Sequence, residues 1–305
     1  MAAAERRDGF DVRTIRSPDG AARASFLPEL GGIGFSLVLA TRAGPRELLF
    51  THDFLWDRAA ERTRGGWPFL FPICGRLERD GEADAYLLAG ERRRLPIHGF
   101  SLRVPWEVVG EAGADRLTLR LRDSARTLDR YPFPFDVTLD YRIGASSLTC
   151  VQTVANRGDA PMPYYAGFHP YFLTPPPGAG KDEVRVDLRA EERWLYNARL
   201  TDVVGRAPAT PFPAGIGAPG VNESLHRVAP DNVSSLTFPD GPVLRLRVSG
   251  EAPYPFVQLY TMPDKPFFCV EPWMSHPNAL NTCGAARLLP PGASERAVAE
   301  VWVEG

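Results

Sequence analysis

"RLTLRLRD" (116–123) sets Leu117, Leu119 and Leu121 on one side of the chain and arginine or threonine on the other. "FDVTLDYRI" (135–143) does the same with Phe135, Val137, Leu139, Tyr141 and Ile143, and "VLRLRV" (243–248) and "VRVDLR" (184–189) repeat the period of two. Alternation with β-branched and aromatic residues predicts half-buried strands. "GFSLVLA" (34–40) and "FVQLY" (256–260) are more continuously apolar and predict buried strands. No long segment places apolar residues at i, i+3, i+4 and i+7; the one modest helix candidate is "HDFLWDRAAER" (52–62). "TPPPGAGKD" (174–182) reads as a loop with sheet signals on both sides, not as a linker. The expectation is an all-β protein, a large antiparallel β-sandwich in a single domain spanning 1–305.

Composition agrees. Thirty of 305 residues are proline, about 10% against a usual ~5%. They are dispersed, which suits strands joined by stiff loops and disfavours helix interiors. A formal net charge of −2 and 24% charged residues give no electrostatic case for nucleic acid or an anionic membrane as partner. "MAAAERRDGF" has no apolar core of the kind a signal peptide carries, and no run approaches the ~20 apolar residues that span a bilayer. Cys74, Cys150, Cys269 and Cys283 form no C-x-x-C and read as reduced thiols. A cytoplasmic location follows as the expectation.

"FFCVEPWMSHPN" (267–278) runs four apolar residues into a glutamate. Burying an ionised carboxylate costs several kcal/mol unless it is paired, so Glu271 read alone is a strand end turned to solvent. Two of the five histidines also have unusual neighbours. His98 lies in "LPIHGF" (95–100), and His169 stands among Tyr164, Tyr165, Phe168, Tyr171 and Phe172 in "YYAGFHPYF" (164–172). His52, His226 and His276 sit in polar segments and read as structural or solvated. His169 and Glu271 each precede a proline, which holds the backbone extended. Apolar surroundings push imidazole and carboxyl pKa values toward neutrality, where proton transfer is most effective. "GGWPFLFPICGRL" (65–77) lacks P-loop spacing, and no H-E-x-x-H or clustered His/Cys set implies a metal. "GERRRLP" (90–96) reads as a solvated hairpin, with a phosphate contact as the alternative.

In order, "GGWPFLFPICGRL", "PIHGFSLRVPWEV", "GFHPYF" and "FFCVEPWMSHPNALNT" resemble the aldose 1-epimerase (galactose mutarotase) family, most closely its LacX-like bacterial branch. The resemblance extends over residues 65–282. It implies the galactose mutarotase-like supersandwich fold and interconversion of the α and β anomers of free hexoses. It makes Glu271 the general base and His169 the general acid, with Arg76 and His98 binding sugar hydroxyls. Glu223, in "VNESLHRV" (221–228), is the nearest match to a further acidic substrate contact. A small sugar is the only partner implied; no cofactor is needed. The rivals are a hexose-6-phosphate 1-epimerase, with Arg64, Arg92, Arg93, Arg94 or Arg103 toward the phosphate, and a non-catalytic sugar-binding protein. Specificity is expected in loops such as 173–183 and 201–222.

Overall fold

The computed structural model describes residues 3–60, 62–110 and 113–305. The alternating segments become strands almost as read: Arg116–Arg122, Phe135–Ile143 and Val243–Gly250, with Arg185–Asp187 shorter than its pattern. In Arg116–Arg122 the three leucines are buried while the arginines and threonine face out. The exception in Phe135–Ile143 is Asp136, buried and ion-paired with Arg120.

These strands belong to a nine-stranded antiparallel sheet that also holds Ser147–Asn156 and Ser294–Glu304. A second antiparallel sheet carries Ala190–Tyr196, Ser224–Val228, Phe256–Tyr260 and Phe267–Trp273. Leucines and valines of the first sheet and Phe168, Leu259 and Val270 of the second share one core, so the two pack as a sandwich. A five-stranded antiparallel sheet comes from the N-terminal 47 residues, and three two-stranded pairs, among them the hairpin Ala85–Leu88/Glu91–Arg94, lie outside the large sheets.

The helix candidate at 52–62 is corrected by the structure. Residues 52–60 form successive turns, closed by backbone hydrogen bonds such as Leu55 to His52 and Asp57 to Phe54; residue 61 lies outside the described residues. The Asp57 carboxylate accepts from the Ala59 N–H, a local bond that competes with helix. Arg64 then ties the turns down by donating to the Asp57 and Ala60 carbonyls. The single α-helix among the described residues is short, Ala125–Arg130, and starts on a Ser124 capping box. No helix of the described residues is long and apolar enough to cross a membrane.

Phe267–Trp273 is the strand that positions the site. It is buried along its whole length, and Glu271 lies inside it, not at its end. Phe268 and Val270 join the main core, while Phe267 and Cys269 join a second cluster with Tyr171. Both faces of the strand are therefore covered, which explains its apolar run without alternation. Successive residues of a strand face opposite ways, so Cys269, Glu271 and Trp273 share the face away from Val270.

Candidate active site

Register brings the polar groups together. Gly167 pairs with Trp273 and Tyr171 pairs with Cys269. Between these pairings the chain passes through His169–Pro170, where proline has no N–H to give and the ladder lapses. The register on the two sides is nevertheless continuous, so His169 stands opposite Glu271. On the other side Gln258 pairs with Glu271. Three strands thus align His169, Glu271 and Gln258 in one cross-strand row, where facing side chains meet. His169 Nε2 is 3.3 Å from Glu271 Oε2.

Arg76 and His98 come from the neighbouring loops. The Gly75 N–H donates to His98 Nδ1 at 3.1 Å, and the His98 N–H donates to the Gly75 carbonyl at 2.9 Å. With Nδ1 accepting, neutral His98 carries its proton on Nε2 and presents a donor. His98 adopts a left-handed backbone with φ 64°, and Gly99 follows at φ 70°. A Cβ on Gly99 would lie 2.3 Å from the Phe71 carbonyl oxygen, so only glycine fits there. The rings of His98 and His169 meet edge-on at 5.1 Å, and His169 stacks on Tyr171 at 4.7 Å with planes only 4° apart. The Tyr171 hydroxyl is anchored on Thr63.

All five residues singled out in the sequence, Arg76, His98, His169, Glu223 and Glu271, line one open cleft with a cavity volume of about 230 Å³. That is below the ~300–1,000 Å³ of drug-sized sites and suits one small molecule. Arg76 and Glu223 are exposed at the cleft, while His98, His169 and Glu271 are buried in its floor. Glu223 also has a left-handed backbone, at φ 50°, and its N–H donates to Asn222 Oδ1. Sequence reading missed Tyr196, Leu200, Gln258 and Tyr260, which line the same cleft. Gln258 left a mark, a lone amide inside the apolar run "FVQLY"; Tyr196 and Leu200 left none. His226 and His276 are buried on local partners, the Ser224 hydroxyl and the Pro277 carbonyl, and do not line the cleft.

Burial sets the electrostatics. It pushes the His169 pKa down to about 3 and holds Glu271 well above the usual carboxylate range. The Trp273 indole favours the carboxylate without reaching hydrogen-bond geometry. His98 is also held well below the ordinary imidazole value, by burial first and then by His169, Arg103 and Arg76. Both shifts favour the uncharged forms, a protonated Glu271 beside a neutral His169. Glu271 Oε2 and His169 Nδ1 are buried without a hydrogen-bond partner. Buried polar groups are normally satisfied, and here the unsatisfied ones sit at the floor of a cleft open to a ligand.

The sequence model of the aldose 1-epimerase family matches residues 21–302. The chain belongs to that family. The chromosomal LacX protein of Lactococcus lactis subsp. lactis is 26% identical over 239 residues, covering 72% of this chain and 77% of LacX. Among solved structures, the Slr1438 protein of Synechocystis sp. PCC 6803 is 28% identical with a TM-score of 0.78, covering 100% of this chain and 96% of its own. A galactose mutarotase-like protein of Clostridium acetobutylicum reaches a TM-score of 0.81 at 19% identity, covering 100% and 98%. The fold is the galactose mutarotase-like β-sandwich of this aldose 1-epimerase family.

Proposed function

We propose that this family member is a mutarotase acting on free hexoses. The observation that carries the reading is the opposed His169–Glu271 pair, 3.3 Å apart at the floor of an open cleft with an acceptor left unsatisfied. Glu271 takes the proton of the anomeric hydroxyl while His169 delivers one to the ring oxygen. The C1–O5 bond breaks and C1 becomes an aldehyde. After rotation about C1–C2 the ring closes on the other face and both protons return. The sugar hydroxyls supply Glu271 Oε2 with the donors that favour the carboxylate form. Nε2–H of His98 and the guanidinium of Arg76 donate to sugar hydroxyls, and Glu223 accepts from one. Each proton-transfer group typically contributes ~10²–10⁴-fold.

Charge at the cleft favours free sugars over 6-phosphates. Arg76 is the one lysine or arginine among the lining residues, and Glu223 lines the same space. A phosphate dianion calls for converging charge-assisted donors. Arg64, Arg92, Arg93, Arg94 and Arg103 do not line the cleft. Polarimetry with freshly dissolved α-glucose, α-galactose and glucose 6-phosphate tests the proposal. Faster mutarotation of the free sugars supports it. Binding without acceleration would make the protein a sugar binder, and preference for the phosphate would select the rival epimerase.

A further inference from the structure

Cys269 lies directly below the row that holds the pair, two residues before Glu271 on the same strand face and paired in register with Tyr171. Its Sγ, an imidazole nitrogen of His169 and a carboxylate oxygen of Glu271 all lie within 4.8 Å of one another. Among the described residues this is the one group of three His, Cys, Asp or Glu side chains that converges in this way. All three are buried, at 5%, 0% and 1% exposure for His169, Cys269 and Glu271. Glu271 Oε2, aimed at the cleft floor, has no hydrogen-bond partner.

We propose that the cleft floor is also a binding site for a thiophilic divalent cation, Zn²⁺ in the first instance, held by His169, Glu271 and Cys269 and excluding the sugar's chemistry. One nitrogen, one oxygen and one sulfur ligand form a set that suits zinc, whereas magnesium and calcium require oxygen shells. Zinc bonds of ~2.0–2.3 Å in a tetrahedron place ligand atoms roughly 3.3–3.8 Å apart. His169 Nε2 and Glu271 Oε2 already meet that spacing at 3.3 Å. The thiol closes the remainder by small side-chain shifts. The open cleft leaves the fourth position to water. On binding, the thiol proton and the Glu271 carboxyl proton leave to solvent as the cation takes thiolate, carboxylate and neutral imidazole; nothing is oxidised or reduced. The inhibitory consequence rests on the acid–base reading above; the binding of metal does not.

The test starts from chelator-treated full-length protein. Cd²⁺ is titrated while the ultraviolet thiolate-to-metal charge-transfer band is followed, and Zn²⁺ is titrated while mutarotation is followed by polarimetry. Cys283 is the one exposed cysteine, so its serine variant is run alongside to remove an adventitious thiol. The expected result is a stoichiometric Cd²⁺ band in both wild type and Cys283→Ser, lost in Cys269→Ser and in Cys269→Ala. Zn²⁺ inhibition should be relieved by chelator, and the Cys269 variants should raise the Zn²⁺ inhibition constant by more than ~10-fold, the least that even an outer-shell loss causes. A folded Cys283→Ser protein without the band, or Cys269 variants inhibited at the wild-type zinc concentration, would overturn the site. If the protein proves to be a sugar binder without mutarotase activity, the Cd²⁺ arm still decides the metal site alone.

Discussion

Two dense polar clusters, one at the surface and one buried, differ in whether their charges are matched. In the hairpin Ala85–Leu88/Glu91–Arg94, each arginine of the basic run reaches a carboxylate. Arg92 meets Asp80 at 3.0 Å and Glu82 at 2.6 Å, Arg93 meets Glu91 at 2.7 Å, and Arg94 meets Glu82. The groove beside it sets Asp84, Glu91 and Asp129 among its four arginines, so most of its positive charge is matched. In the cleft floor, by contrast, a buried carboxylate oxygen and a buried imidazole nitrogen are left without partners. Matched charge in water contributes little; an unmatched group out of water is costly and persists where a ligand completes it. The hairpin's charge is surface structure and the floor's polarity is a site, although the first is far more conspicuous in the sequence.

The sharpest way to break this contrast is Glu271→Gln. The amide keeps the shape but cannot accept a proton, so kcat should fall by ~10²–10⁴-fold, roughly 3–5 kcal/mol, with sugar binding retained. Polarimetry beside a binding titration and a thermal melt checks it; a folded variant at the wild-type rate ends the assignment of Glu271.

Next in size, Arg76→Ala and His98→Ala should raise KM by ~10–100-fold, the worth of a charge-assisted or buried hydrogen bond, and change kcat less, as uniform binding contacts do. His98→Ala should also lower the melting temperature, because it strands the Gly75 N–H. An unchanged KM with kcat abolished would give either residue a different role.

The pH profile of kcat/KM, measured on chelator-treated protein, comes third. Free solvated groups would bend it near ~4.3 and ~6.5. Burial lowers His169 to about 3 and raises Glu271. His169 therefore gains a proton only well below the ordinary imidazole value, and Glu271 loses its proton only well above the ordinary carboxylate value. The expected profile has its acid limb well below the ordinary imidazole value and its alkaline limb well above the ordinary carboxylate value. Limbs at both ~4.3 and ~6.5 would mean that the two titrate as independent solvated groups.

Smallest of all, Arg92→Ala and Arg93→Ala should move stability by no more than about 0.5 kcal/mol and leave mutarotation unaltered. Denaturant melts and polarimetry check this; a large rise in KM from either would return the hairpin to the site.

The strands were legible because a leucine at every second position leaves little choice, as in Arg116–Arg122. The turns at 52–60 were misread because Leu55, Trp56 and the alanines imitate a helical face while Asp57 bonds locally. His98, His169 and Glu271 were legible from their neighbours. Their meeting was not, because it depends on register between strands about 100 residues apart in sequence. Gln258 enters the row only through its pairing with Glu271, and Tyr196 through its hydroxyl bond to Gln258.

Leu200 carries a different lesson. Along with His98 and Glu223 it is one of three cleft-lining residues other than glycine with a left-handed backbone, at φ 56°, and it alone of the three has no polar side chain. Such backbones cost on the order of 1–3 kcal/mol each, in a molecule whose total stability is on the order of 5–15 kcal/mol. Its turn is held closed by Thr201 and Arg199 on Glu78, so the surrounding chain keeps the leucine where it would not rest unaided. Relief of this strain and the present contour of the cleft consequently pull in opposite directions at this position. A directed-evolution campaign scored on melting temperature alone would drift toward glycine at 200 and erode the contour of the cleft. One that also scored the shape of the cleft would hold the leucine and accept the lower melting point.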